Sequence, residues 1–200
     1  LPAEVRAPGT VRLLCPAFES IEQSGSFILV PQDSPIQSIQ DLKGKTVGTY
    51  TGSSQKVYAL MVLKSFGLRE PEDVRLVQVA SSAQVQGLFG RSFDALFTVE
   101  PYGATAKAQG ARVVESAVRP KRIANPFWVG AVAIKASIAA QAPDAIIASL
   151  RDAIAFISAH ETEARAILAR RTGIDERIAA NCALYTWCPT PSHQDILQIQ

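Results

Sequence analysis

Alternating strand and helix patterns run through the middle of this 200-residue chain. Short apolar segments predict strands, and the stretches between them carry apolar residues at helical spacing. The predicted strands are 27–30, 46–49, 74–79, 95–99 and 112–114, and the helices between them are 55–66, 82–89 and 101–109. Such alternation is typical of βαβ units, in which helices join parallel strands. We therefore predict an α/β fold with a mainly parallel sheet.

The pattern changes after residue 117. Pro120 and Pro126 enclose a basic, irregular segment, and the apolar residues 128–134 predict one more strand. The remainder of the chain is predicted to form three helices, at 145–158, 161–171 and 175–184. The chain therefore has an α/β middle and a helical end.

Composition excludes several classes of protein. The net charge is only +2 and charged residues make up 19% of the chain, so no strongly basic surface for nucleic acid is expected. The longest apolar run, 127–134, is far shorter than the roughly 20 residues of a membrane-spanning helix. Hydrophobic residues make up 48%, which is too high for a disordered chain. We expect a globular protein without a nucleic-acid partner.

The tripeptide Gly44-Lys45-Thr46 looks like the end of a phosphate-binding loop. That motif requires a glycine five positions before Gly44, where this chain has Ile39. A phosphate-binding loop also follows a strand, whereas Gly44 and Lys45 precede the predicted strand 46–49. A nucleotide site is therefore not predicted here.

Small polar residues occupy three successive turns that lead from a strand to a helix. These turns are 51–54, 80–82 and 99–102. The carboxyl ends of parallel strands form the binding crevice of open α/β sheets, so the three turns predict a polar pocket. Ser53 and Ser54 begin a helix, where free backbone N–H groups can bind an anion. The alternative is that these serines only cap the helix.

Three segments resemble, in order, parts of the type II periplasmic solute-binding proteins of the nitrate, sulfonate, taurine and thiamine-precursor group. The first is SFILVPQDSPIQSIQDLKGKTVGTYTGSSQKV, with a crossover strand, a D-L-K-G-K sequence and a Gly-Ser turn. The second is FDALFTVEPYGATAKAQGARVV, in which a short strand ends in Glu-Pro. The third is APDAIIASLRDAIAFISAHETEARAILARRTGI, which resembles the helices that return to the first lobe.

The resemblance implies a type II periplasmic-binding-protein-like fold of two lobes with mainly parallel sheets. Residues 1–37 would form part of lobe I and the first crossover, residues 38–126 lobe II, and residues 127–200 the second crossover and the C-terminal helices of lobe I. Members of this group begin with a further strand-helix section, so the first lobe is expected to be incomplete in this chain. Self-association of the truncated chain is a further expectation, because sheet edges and apolar faces would be left uncovered.

The same resemblance implies a function. A small polar or anionic solute would be bound in the periplasm, or at the outer face of the cytoplasmic membrane, and delivered to an ABC permease after the two lobes close on a hinge. No enzymatic activity and no cofactor are expected. The alternative is the effector-binding domain of a transcription regulator, which shares this architecture. Nitrate, an alkyl sulfonate, taurine and a pyrimidine are all compatible solutes.

Eight residues are predicted to bind the solute: Thr51, Ser53, Ser54, Ser81, Ser82, Glu100, Tyr102 and Trp128. The serines could instead be helix caps, and Thr51 could simply favour β geometry. Glu100 could pair with an amine of the ligand or cap the helix that follows it. Tyr102 and Trp128 could line the pocket, although core packing is an equal possibility for Trp128.

No catalytic or metal-binding arrangement is predicted. His160 and His193 lie far in sequence from any candidate nucleophile, and Cys182, Cys188 and His193 lack zinc-ligand spacing. The cysteines leave two possibilities open. Cys182 and Cys188 could form a disulfide that leaves Cys15 alone, or all three could be separate thiols.

Overall fold

The structure is a computed structural model that describes residues 9–139 and 143–189. The chain folds into two compact units. We call residues 19–127 and 174–184 the central unit, and residues 1–18, 128–173 and 185–200 the terminal unit. Both units contain strands and helices. The alternating pattern predicts the elements of the central unit, whereas the strands Val11–Glu19 and Thr186–Trp187 were not predicted from the sequence.

The described residues form eight strands: β1 Val11–Glu19, β2 Ser26–Pro31, β3 Lys45–Tyr50, β4 Val74–Val79, β5 Ala95–Val99, β6 Ala111–Ser116, β7 Phe127–Lys135 and β8 Thr186–Trp187. They also form eight α-helices: α1 Ser53–Ser65, α2 Gln84–Phe89, α3 Tyr102–Ala108, α4 Val118–Arg122, α5 Ala136–Ala139, α6 Pro143–Ala159, α7 Glu161–Thr172 and α8 Glu176–Asn181. Short 3₁₀ turns occur at Ile39–Leu42 and Ser81–Ala83. No described helix is both long and apolar enough to cross a membrane.

The central unit is built on a five-stranded sheet in the order β4-β3-β5-β2-β6. Strand β3 pairs in parallel with β4 and β5, whereas β2 pairs antiparallel with β5 and β6. Strand β2 therefore runs against the other four. The terminal unit contains a sheet in the order β7-β1-β8, in which β1 and β8 are antiparallel.

Two hydrophobic clusters cover the faces of the five-stranded sheet. Alternate residues of β2 point to opposite faces. Ile28 and Val30 join the cluster under α1 and α4, and Phe27 and Leu29 join the cluster under α2 and α3. Every residue of β2 is buried, which explains its uninterrupted apolar sequence.

The unit boundaries differ from those expected from the sequence. The central unit begins at Glu19 instead of residue 38, because β2 lies in its sheet between β5 and β6. It also includes residues 174–184, which the sequence analysis assigned to the return to the first lobe. These residues contain α8, which packs beside α3.

The Asp41-Leu42-Lys43-Gly44 sequence has a structural role. The Asp41 carboxylate accepts hydrogen bonds from Gln37 N at 2.9 Å, Ser38 N at 2.8 Å and Ser38 Oγ at 3.0 Å. Leu42 is fully buried, and Gly44 has a φ of +76° that favours glycine. This sequence therefore fixes the chain at the start of β3.

Acidification is expected to weaken the contribution of Asp41 to stability. The backbone N–H groups of Gln37 and Ser38 hold the pKa of the Asp41 carboxyl below its usual value. Because the folded pKa is lowered, the stabilisation is present above the unfolded pKa of about 3.9 and is lost as pH falls through the folded pKa. We expect Asp41→Asn to destabilise the protein at pH 7 and the difference from the unchanged protein to shrink below about pH 4.

Urea unfolding of both proteins between pH 7 and pH 3 measures this difference. Asp73 also has a lowered pKa, but it is present in both proteins and its effect cancels in the comparison. A difference that stays constant with pH would contradict the assignment.

A buried ion pair lies where the chain enters the central unit. Glu19 and Arg119 are 0% and 3% exposed. Arg119 Nε donates to Glu19 Oε2 at 2.9 Å, and Arg119 Nη2 lies 2.7 Å from the same oxygen at an angle unsuited to a hydrogen bond. The other oxygen, Glu19 Oε1, accepts from Gly25 N at 2.9 Å and Ser26 Oγ at 2.5 Å. The guanidinium also lies 4.8 Å from the ring centroid of Phe127, so the cluster joins the two ends of the segment 19–127.

Candidate functional site

Strands β3, β4 and β5 bring the three polar turns to one edge of the sheet. Tyr50, the last residue of β3, pairs with Val79, the last residue of β4. Thr49 pairs with Phe97 of β5, two residues before that strand ends. Because the three strands are parallel, the turns that follow them lie at the same edge. The structure therefore brings together the turns that the sequence analysis selected.

The first turn contains a glycine in a conformation that favours glycine. Gly52 has φ +137° and ψ +140° and is the N-cap residue of α1. Its carbonyl oxygen accepts from Lys56 N at 3.2 Å and from Gln78 Nε2 at 3.2 Å. The second bond connects the first turn to β4, the strand that leads into the second turn.

Capping does not explain Ser54. The N-cap residue is Gly52, which has no side chain, and no side-chain hydrogen bond caps α1. Ser54 is exposed, and its Oγ accepts from Gln55 Nε2 at 3.3 Å. Ser53 is the first residue of α1, and its side chain lies outside what the structure describes. Thr51 is exposed at the end of β3.

The second turn also has serines that do not cap a helix. Ser81 is half-buried and Ser82 is exposed in the 3₁₀ turn Ser81–Ala83. The N-cap residue of this turn is Ala80, and the N-cap residue of α2 is Ala83. Neither alanine offers a capping side chain. The Ser81 and Ser82 hydroxyls thus have no capping role in the fold.

The third turn differs from the other two because its acidic residue has partners inside the chain. Glu100 is 9% exposed. Its Oε2 accepts from Ala104 N at 2.7 Å, and its Oε1 lies 3.4 Å from both Lys107 Nζ and Ala183 N. Glu100 therefore caps α3 and ties it to the segment after α8, as the capping alternative expects. A ligand amine would therefore compete with these three partners for the Glu100 carboxylate.

The two aromatic residues lie in different units. Tyr102, the first residue of α3, is half-buried against the cluster that contains Phe27 and Leu29. Trp128 belongs to the terminal unit, where its ring lies 6.2 Å from the Phe18 ring.

The structure adds buried polar residues that the sequence analysis missed. Thr98 Oγ1 donates to Gln84 Oε1, and both residues are fully buried. Gln84 Nε2 and Thr49 Oγ1 are buried without a hydrogen-bond partner in the described chain. Thr49 lies in β3 just before the first turn, and Gln84 begins α2 just after the second. Two buried donors thus adjoin the same turns, although glutamine at a helix start and threonine in a strand carry no distinctive sequence signal.

The described residues contain no group of histidine, cysteine and acidic side chains suited to a metal ion. His160 is exposed and stacks on Phe156 with ring centroids 4.7 Å apart. His193 lies outside the described residues.

The comparisons with known proteins agree with the fold. The sequence model of the family described as NMT1/THI5 like matches residues 17–164. No curated protein sequence matches the chain. Among solved structures, the periplasmic aliphatic sulphonate binding protein SsuA from Escherichia coli is 21% identical with a TM-score of 0.76, and the match covers 98% of this chain and 63% of that protein.

Two other solved structures share the fold. The alkanesulfonate-binding protein SsuA from Xanthomonas axonopodis pv. citri, bound to MOPS, is 20% identical with a TM-score of 0.74 and covers 98% of this chain and 68% of that protein. The desulfurization enzyme DSZB is 19% identical with a TM-score of 0.68 and covers 92% of this chain and 67% of that enzyme.

The chain thus spans 63% of the Escherichia coli protein's length and has a type II periplasmic-binding-protein-like fold with an incomplete first lobe. Since the family match extends over more than half of the residues, the chain belongs to the NMT1/THI5-like family.

Proposed function

We propose that this protein binds a small organic sulfonate, or a closely related oxyanion, for delivery to an ABC importer. The observation that carries the proposal is the start of α1, where Gly52 caps the helix without a side chain. Ser54, Ser81 and Ser82 lie in the turns at this edge, and none of them is engaged in capping. In this proposal the hydroxyl groups of these serines donate hydrogen bonds to a ligand at this edge of the sheet.

The electrostatics of this edge favour an anion. The first turn of an α-helix has N–H groups without intrahelical partners and carries a partial positive charge. A ligand oxyanion would accept hydrogen bonds from these N–H groups and from the Ser53, Ser54 and Ser81 hydroxyls. Thr51 and Ser82 would contribute at the margin of the site. Tyr102 would supply an apolar contact for the organic part of the solute.

The names of the structural relatives support the same class of ligand. One relative is an aliphatic sulphonate binding protein, another is an alkanesulfonate-binding protein bound to MOPS, and a third is a mutant of DSZB in complex with biphenyl-2-sulfinic acid. The ligands in these names are all sulfur oxyanions attached to an organic group. We therefore favour an organic sulfonate over nitrate or a pyrimidine. A zwitterion such as taurine would additionally need a partner for its amine, and Glu100 is already engaged.

Delivery to a permease extends the same proposal. The periplasmic binding proteins that share the fold suggest a location outside the cytoplasmic membrane and an ABC permease as partner. Hinge closure on the solute and self-association of the chain belong to the same proposal. None of the three named relatives is a transcription regulator, so the importer function is favoured over the alternative.

An enzymatic function is the second candidate, because DSZB shares the fold. The three turns do not favour it. Where side chains are described, no serine of these turns is hydrogen-bonded to a histidine or a carboxylate that could act as its base. Binding without chemistry therefore accounts better for the site.

A thermal-shift panel tests the proposed ligand class. Propanesulfonate and MOPS are compared with nitrate, sulfate, taurine and a pyrimidine, and propanol and morpholine serve as controls without the sulfonate. A ligand at a hundred times its Kd adds about 2.7 kcal/mol to the stability. This corresponds to a rise in Tm of about 5–10 °C. The proposal is wrong if no sulfonate raises Tm more than its control does.

A further inference from the structure

Buried polar atoms without a partner lie beside the turns at this edge of the sheet. Among the described residues they include Thr49 Oγ1, Gln55 Oε1 and Gln84 Nε2. Thr49 precedes the last residue of β3, Gln55 is the third residue of α1, and Gln84 is the first residue of α2. Buried polar groups in folded proteins nearly always have a partner, so each of these atoms requires an explanation.

Gln84 is the most informative of the three. It is 0% exposed, whereas Gln55 is half-buried, and the Thr49 hydroxyl can act as donor or acceptor. The Gln84 side chain offers Oε1 as an acceptor and the Nε2 amino group as a donor. Oε1 accepts from Thr98 Oγ1, which holds the amide in one orientation. Within the described chain, only the donor end of this amide is without a partner.

The Gln84 amide joins the residues that flank the second and third turns. Thr98 is the penultimate residue of β5, whose carboxyl end leads into the third turn. Thr98 follows Leu96 by two residues, so both side chains lie on the sheet face that α2 and α3 cover. Gln84 reaches this face from the start of α2, directly after the second turn. The amide therefore lies beside the proposed oxyanion site, and all of these residues belong to the central unit.

We propose that Gln84 is a ligand-binding residue whose Nε2 donates a hydrogen bond to an oxygen atom of the proposed sulfonate, and that Thr98 is the positioning residue that orients its amide. This inference rests on the proposed function and adds a buried donor to the hydroxyls of the turns. A sulfonate group accepts hydrogen bonds and donates none, which suits the donor end of an amide. Because Nε2 is oriented and shielded from bulk water, its bond to a charged oxygen is strong.

The ligand needs a path from the edge to Nε2. The 3₁₀ turn Ser81–Ala83 directly precedes Gln84 and contains no buried residue. This turn can therefore shift without loss of core contacts and admit a ligand oxygen. The competing explanation is a buried water molecule bonded to Nε2, which would give Gln84 a purely structural role. The two explanations predict different effects of substitution on ligand affinity.

Isothermal titration calorimetry with propanesulfonate tests the role of Gln84. Gln84→Met keeps the length of the side chain and removes the donor, and Gln84→Glu keeps an acceptor for Thr98 Oγ1 but replaces the donor by an oxygen atom. We expect each to raise the Kd at least about tenfold, as for the loss of a hydrogen bond to a charged group. Gln86→Met is the same substitution at an exposed position of the same helix and should leave the Kd unchanged.

A double variant keeps the test valid if a single substitution impairs folding. Gln84→Met leaves the Thr98 hydroxyl without its acceptor, and the addition of Thr98→Val removes that hydroxyl as well. Replacing both partners of a buried hydrogen bond by apolar groups of the same shape is nearly neutral for stability. Without ligand, the double variant should therefore have a Tm close to that of the unchanged protein. It should nevertheless bind propanesulfonate at least about tenfold more weakly.

A double-mutant cycle tests the role of Thr98. Thr98→Val alone should raise the Kd, and Thr98→Ser, which retains the hydroxyl, should restore it. Because Thr98 acts through Gln84, Thr98→Val should cause no further rise in Kd when Gln84 is already replaced by methionine. Independent effects of the two substitutions on Kd, or no effect of Thr98→Val, would contradict the positioning role.

The calorimetry separates failure of this inference from failure of the proposed function. Equal Kd values for the unchanged protein, Gln84→Glu and the double variant would overturn the role of Gln84 and leave the proposed function standing. If neither propanesulfonate nor MOPS bound to the unchanged protein or to Gln86→Met, the proposed function and this inference would both be wrong.

Discussion

Replacing Glu19 with alanine is expected to lower the free energy of unfolding by about 3–5 kcal/mol, because it leaves the Arg119 guanidinium buried without a counter-charge. Arg119 is 3% exposed, so water cannot replace the lost carboxylate without local opening of the structure. The Ser26 hydroxyl and the Gly25 N–H would lose their acceptor at the same time.

The ion pair also has a topological role. Glu19 is the first residue of the central unit, and Phe127, which lies under the Arg119 guanidinium, is the last residue before the chain leaves for the terminal unit. Removing the carboxylate would therefore loosen both ends of the segment that contains the five-stranded sheet. We expect a milder loss for Glu19→Gln, which retains an acceptor for Gly25 N but leaves Arg119 charged and unpaired.

Urea unfolding measures these losses, and an exposed ion pair of the same unit provides the control. Asp33 pairs with Arg91, and both side chains are more than half exposed. Asp33→Ala should cost far less than Glu19→Ala, because an exposed ion pair contributes little to stability. Joint replacement of Glu19 and Arg119 by methionine should recover part of the loss, since it removes the unpaired charge. A cost for Glu19→Ala as small as that for Asp33→Ala would refute this account of the buried pair.

The elements of the fold could be predicted from local sequence, but the position of β2 could not. Apolar runs and helical spacing located β3, β4, β5 and the helices between them within a few residues. Strand β2 pairs with residues far along the chain, such as Phe27 with Ser116 and Thr98. The apolar pattern of a strand does not identify which distant strands pair with it. This explains why the boundary of the central unit lies at Glu19, well before residue 38.

The sequence predicted which turns lie at one edge of the sheet. It predicted the roles of individual side chains less well. Parallel strands bring their carboxyl ends to one edge, so the three turns could be grouped from the sequence. The roles of individual residues depend on hydrogen-bond geometry that the sequence does not contain. Glu100 is engaged with Ala104 and Lys107, and Gln84 is a buried residue that no motif identifies.

Ser54→Ala is expected to weaken binding of the proposed sulfonate by about 1.5–3 kcal/mol, because it removes one hydroxyl hydrogen bond to a charged group. This corresponds to an increase in Kd of roughly ten- to a hundredfold. Stability should remain within about 0.5 kcal/mol, since Ser54 is exposed and Gly52 is the N-cap residue of α1. The backbone N–H groups of the first turn survive the change, so some affinity should remain.

Ser65 is the matched control because it lies in the same helix at the opposite end. Its Oγ donates to Val62 O at 2.7 Å, and at about 1.5 Å per residue it lies roughly 16 Å along α1 from Ser54. Ser65→Ala should leave the affinity unchanged. Ser137→Ala, in α5 of the terminal unit, is a second control for the same purpose.

Isothermal titration calorimetry of the unchanged protein, Ser54→Ala and Ser65→Ala tests the central claim most directly. The titrant is the sulfonate that gives the largest rise in Tm in the panel. We predict a Kd at least about tenfold higher for Ser54→Ala than for the unchanged protein, and an unchanged Kd for Ser65→Ala. Equal Kd values for all three proteins would contradict the placement of the oxyanion at the start of α1.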